Sequence, residues 1–135
     1  MQLIFNLKPE DWKAGRTACF LFDEDILRSC FVAQALKRAL PDAEQIYAGS
    51  DYLEFTLEGV TYEAATTDEL LRQMEIFDRV PIHSSIVKWQ REHLFLEIRK
   101  DRMNRVHEFM KHELRHLKPT FGTYVVEFTA IPTPD

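Results

Sequence analysis

The sequence predicts an α+β fold: one domain, with an antiparallel or mixed sheet of about five to six strands and three to four helices packed on it. Three observations carry this reading. Tyr52–Leu57 and Val60–Ala65 alternate apolar and polar residues on either side of Glu58-Gly59, the pattern of a hairpin with a two-residue connection. Residues 101–118 place Met103, Val106, Met110, Leu114 and Leu117 on one helical stripe that Pro119 closes. Segments 2–7 and 123–129, near the two ends, read as strands, the second with Tyr124, Val126 and Phe128 on one face.

The elements follow in order. The strand over 2–7 ends at Pro9, because proline cannot donate to a central ladder, and 8–15 reads as a loop. Residues 16–22 are continuously apolar after Arg16, as expected of a strand covered on both faces. A helix over 25–40 comes next, stopped by Pro41. Asp23 is its expected N-cap, and Glu24 and Asp25 sit favourably at the positive end of its dipole. Residues 45–49 read as another strand. In the hairpin Leu57 pairs with Val60, Thr56 with Thr61, Phe55 with Tyr62 and Glu54 with Glu63, burying Leu53, Phe55, Leu57, Val60, Tyr62 and Ala64. Thr66-x-x-Glu69 is a capping box for a helix to about Arg79, with Leu70, Leu71, Met74 and Phe77 on one face and Pro81 as its stop. Composition favours helix over 83–98, although residues 94–98 also suit a strand.

With 135 residues, 45% hydrophobic and 29% charged, the chain can bury a core without disulfides or a structural metal. Its formal charge of −5 has the wrong sign for coating nucleic acid non-specifically. That charge is divided: residues 1–80 carry 8 basic and 15 acidic side chains, and residues 81–135 carry 9 and 7. No apolar run approaches the ~20 residues of a membrane span. The first residues lack a basic n-region and meet Lys8 and Glu10 early, unlike a signal peptide. Cys19 and Cys30 form no C-x-x-C pair, so they read as reduced, buried thiols of a cytoplasmic protein. A Gly-rich phosphate loop, a G-x-S-x-G elbow and a dinucleotide fingerprint are all missing from the sequence.

His112-Glu113-Leu114-Arg115-His116 is an H-E-x-x-H motif in a predicted helix, where i,i+4 spacing brings both imidazoles to one side. These five residues resemble the zincin metallopeptidases. The resemblance implies zinc held by His112 and His116, with Glu113 as general base, and a third ligand from Glu127, His83, His93 or His107. The sequence departs from that pattern at Arg115, and at Pro119 and Gly122 where the metzincin extension needs Gly and His. At about 100° per residue, His116 lies about 120° and His112 about 160° from Met110, the centre of the buried stripe. The bland reading is therefore a solvated His/Arg face.

Two further constellations suggest binding. Glu54 and Glu63 lie directly opposite on the outer hairpin face, a destabilising pair that a nearby cation would relieve. On a continuous 25–40 helix, Leu27 and Phe31 sit on the side away from Ile26, Ala33 and Leu36, so they could present an apolar patch to a partner, with Trp12 joining it. The expectation is a small cytoplasmic, non-enzymatic binding or regulatory protein, adaptor- or inhibitor-like, without a cofactor. It would meet a protein partner with a basic surface, and a two-fold homodimer would pair its acidic and basic parts. The alternatives are a zinc-dependent hydrolase built on His112, Glu113 and His116, and a nucleic-acid binder using the basic C-terminal helix. That helix interleaves its Arg and Lys residues with Asp101, Glu108 and Glu113, which dilutes its field.

Overall fold

Strand β1 (Gln2–Leu7) turns Phe5 and Leu7 inward and leaves Ile4 outside. Its partner is β5 (Gly122–Glu127), antiparallel, with Phe5 opposite Tyr124 and Ile4 opposite Val125. The computed structural model describes residues 1–22, 24–83, 115 and 117–132. Among these, four α-helices, one π-helical segment and six strands form an α+β arrangement with a two-stranded and a four-stranded sheet.

Pro9 does more than end β1. It occupies the first turn of α1 (Pro9–Arg16), where its missing N–H is no loss, so the predicted loop over 8–15 is a helix. The Asp11 carboxylate accepts from the Lys8 backbone N–H at 2.8 Å and closes the helix start. The same carboxylate receives two bonds from the Arg38 guanidinium, at 3.1 and 2.8 Å, which tie α1 to α3 (Phe31–Ala39). Helix α1 runs on into a π-helical segment, Thr17–Leu21, where the sequence predicted a buried strand over 16–22. An uninterrupted apolar run fits a buried helix as well as a buried strand, and the helix started at Pro9 decides between them.

The predicted helix over 25–40 is two helices. Asp25, not Asp23, caps α2 (Ile26–Ser29), accepting from the Leu27 N–H at 3.0 Å. Cys30 stands between α2 and α3 with an extended backbone, ψ 179°. Its N–H still bonds Ile26 and its carbonyl accepts from Gln34, so it ends one helix and starts the next. Gly15 of α1 lies against this junction: a Cβ there would meet the Phe31 nitrogen at 3.0 Å.

Strands β2 (Glu44–Ala48), β3 (Tyr52–Leu57), β4 (Val60–Ala65) and β6 (Thr129–Ala130) form the larger sheet in that order. The β3–β4 register agrees with the pairing read from the sequence at every position. Glu58 and Gly59 both take positive φ, 51° and 77°, as a two-residue I′ turn requires. On the inner face Leu53, Phe55 and Ala64 are buried, whereas Leu57 and Tyr62 are half-buried and Val60 is 39% exposed. The hairpin tip extends past the core.

Helix α4 (Asp68–His83) begins one residue later than the capping box predicts. Thr67 accepts from the Leu70 N–H, while Thr66 donates instead to the Gly49 carbonyl at 2.7 Å. The helix also passes Pro81 rather than stopping near Arg79. Pro81 has no N–H for the carbonyl four residues back, that of Phe77. The Arg16 guanidinium reaches that carbonyl at 2.8 Å and serves it from α1.

The core gathers Trp12, Phe31 and Phe77 at ring separations of 5.3 to 6.4 Å, with Phe121 against Phe31 and Phe128 against Phe55. Arg16 is buried between two of these rings, 4.6 Å from Trp12 and 4.1 Å from Phe77. After β5, Phe128 exchanges two backbone bonds with Met1, and β6 then pairs with β4. One terminal segment thus serves both sheets. Leu117 is half-buried against the core. The rest of the predicted helices over 83–98 and 101–118 lies outside the described residues, apart from His83, Arg115 and Lys118. Among the described residues no helix is long and apolar enough to cross a membrane.

Candidate functional site

Glu54 and Glu63 are directly opposite across β3 and β4, and their row continues on both sides. Tyr47 of β2 faces Glu54, and Thr129 of β6 faces Glu63. Tyr47 owes its place to a bulge in β2, where Gln45 has φ 52°. Extending the Glu44–Thr56 pairing without the bulge would set Ile46 opposite Glu54. The extra residue turns Ile46 into the core, 5% exposed, and Tyr47 outward.

The rings of Tyr47 and Tyr52 stack with centroids 4.7 Å apart. Gly49 gives the Tyr47 ring its room, since a Cβ there would fall 2.7 Å from Cε1. Arg28 of α2 sets its guanidinium 5.9 Å from the same ring while pairing with Asp25 at 3.9 Å. Among the described residues neither Glu54 nor Glu63 forms an ion pair. Their field is felt locally. The neighbouring Tyr47 hydroxyl, desolvation, and the charges of Glu54 and Glu63 together raise the Tyr52 pKa. Two carboxylates beside two stacked phenols present hydrogen-bond acceptors and π faces, a combination that attracts cations.

The apolar patch expected from the sequence does not form. Phe31 and Trp12 are both 0% exposed and pack on each other in the core, and only Leu27 of the three keeps exposure, 38%. The helical wheel assumed one continuous helix over 25–40, whereas the junction at Cys30 re-aims α3 and turns Phe31 inward. Trp12 stands on α1, where the sequence predicts a loop.

His112, Glu113 and His116 lie outside the described residues, as do His93 and His107 among the proposed third ligands. Glu127 is exposed on β5, 3.7 Å from the Met1 ammonium. No group of three His, Cys, Asp or Glu side chains among the described residues is arranged to hold a metal ion. Cys19 and Cys30 are free, buried thiols, and burial pushes them up to about 12 and about 11.

Sequence reasoning missed Tyr47, Tyr52 and Arg16. A tyrosine two residues before a glycine in a strand was the available signal for the first. The chain matches no family model, no curated protein and no solved structure, so its own geometry is the ground for reading the site.

Proposed function

We propose that the chain is a non-enzymatic binding protein whose outer hairpin face, made by Tyr47, Tyr52, Glu54 and Glu63, receives a basic segment of a protein partner. The observation that carries this reading is the cross-strand Glu54–Glu63 pair, which has no ion pair among the described residues. Like charges directly opposite destabilise a sheet, and a cation placed between them removes the repulsion. The stacked tyrosines add π faces for the same cation. Arg28 beside Tyr47 supports the reading, because it shows a guanidinium accommodated next to that ring within the fold.

The test is binding of a lysine-rich peptide of about a dozen residues to wild type and to Glu54→Gln/Glu63→Gln. Exposed ion pairs contribute about 0.2–1 kcal/mol each, so losing two carboxylates should weaken binding by about two- to thirtyfold. The variant should match or exceed wild type in stability, since it loses a repulsion. Equal affinity in both proteins refutes the reading.

A further inference from the structure

We propose that a cleft between α2, the β2–β3 turn and α4 is a binding site for an ammonium group carried on a short apolar stem. The cleft has a volume of about 190 Å³. Pockets for whole small-molecule ligands start at about 300 Å³, so this one fits a single side-chain-sized group. Ile26 and Leu27 from α2 face Leu71 and Met74 from α4 across it. Cys30 adds to the lining, and with its thiol pushed up to about 11 by burial it contributes an uncharged surface at neutral pH. The chain passes the cleft at Ala48, Gly49 and Ser50, where small residues keep it open.

The charged residues of the lining are Glu75 and Asp78, one turn apart on α4, and both are negative. Although Asp78 keeps solvent contact, the protein around its carboxyl raises its pKa by desolvation. Arg16 lowers it by a smaller effect, and the neighbouring Glu75 charge raises it further. A carboxylate that remains under-compensated at the lip of an apolar cleft selects its guest. An anion is repelled, a neutral apolar group leaves the charge desolvated, and an alkylammonium satisfies both stem and head. This site is separate from the Glu54–Glu63 face and stands whether or not that face binds a partner.

Such an ammonium can come from a free alkylamine or from a lysine side chain of another protein. The full chain is titrated with hexylammonium, with Nα-acetyl-lysine methylamide, whose side-chain ammonium is free, and with hexanol and hexanoate as controls, following the Met74 methyl signal by NMR. Hexylammonium should move that signal to saturation with a dissociation constant on the order of 1 mM, as expected for about seven heavy atoms. Glu75→Gln/Asp78→Asn should weaken it at least tenfold, and Glu54→Gln/Glu63→Gln should leave it unchanged. Glu75→Lys, at an exposed helix position, should block it by supplying a tethered ammonium. Acetyl-lysine methylamide binding as well as hexylammonium assigns the site to a lysine side chain; weaker binding assigns it to free amines. An unmoved Met74 signal, hexanol binding as tightly as hexylammonium, or full affinity in Glu75→Gln/Asp78→Asn overturns the proposal.

Discussion

Replacing Arg16 by methionine keeps an unbranched side chain but removes the guanidinium that joins α1 to α4. The structure defines what is lost. The bond to the Phe77 carbonyl is 2.8 Å long, and a buried hydrogen bond to a charged group contributes about 1.5–3 kcal/mol. The rings of Trp12 and Phe77 lie 4.6 and 4.1 Å away, and a desolvated cation–π contact adds about 2 kcal/mol. Against this stands the relief of no longer burying a charge, which is several kcal/mol in the opposite direction. The Phe77 carbonyl tips the balance, because Pro81 has no N–H to take over. We expect a net loss of about 3 kcal/mol in urea unfolding followed by circular dichroism. For 135 residues at about 2.1 cal/mol/K each, that lowers Tm by about 11 °C. Pro81→Ala restores an N–H four residues after Phe77. It should therefore recover about 1 kcal/mol more in the Arg16→Met background than in wild type. A loss below about 0.5 kcal/mol, or an equal effect of Pro81→Ala in both backgrounds, would refute the argument.

Phe31→Ala should destabilise by about 3–5 kcal/mol, as a fully buried aromatic does, whereas Leu27→Ala should cost under about 1 kcal/mol; similar losses would contradict the packing described. Glu58 holds φ 51° with a Cβ that disfavours it, so Glu58→Asn should raise the unfolding free energy by about 0.5–1 kcal/mol and the urea midpoint with it, and a lower midpoint would speak against an I′ turn. Cys19 and Cys30 are raised from an ordinary 9.0 to about 12 and about 11. The unfolded chain therefore releases its thiol protons first, and stability falls as pH rises from about 9 towards 11–12, by up to about 1.4 kcal/mol per pH unit for each thiol. Urea midpoints from pH 8 to pH 10 should fall more steeply in wild type than in Cys19→Ala/Cys30→Ala, and parallel slopes would count against two buried neutral thiols.

The hairpin was legible because everything that sets it is local. Strict alternation chooses the faces, and Glu58-Gly59 chooses the turn, so the Glu54–Glu63 pairing follows from sequence. The two helix misreadings share another cause. Nothing near Cys30 in sequence announces a break; the junction is packed by Gly15 of α1, fifteen residues away in the chain. Likewise Pro81 reads as a stop unless one knows that Arg16 will serve the Phe77 carbonyl from a different helix. Tyr47 of the candidate binding face was hidden for a related reason. A single bulged residue, Gln45, exchanges the faces of Ile46 and Tyr47, and bulges leave little trace in an alternating pattern.

The pairing of β1 with β5 also orders events in time. Met1 and Phe128, bound through their backbones, stand 127 residues apart in the chain. A ribosome adding about 5–20 residues per second needs roughly 6–24 s to travel from β1 to β5. Throughout that interval Leu3, Phe5 and Leu7 are without their partner strand. The β3–β4 hairpin can close within microseconds of emerging, but the two-stranded sheet must wait until β5, which starts at Gly122, has followed β1, which ends at Leu7. Strand β1 is therefore secured long after it is made, and chaperones that shield apolar segments on nascent chains have a long opportunity to hold it.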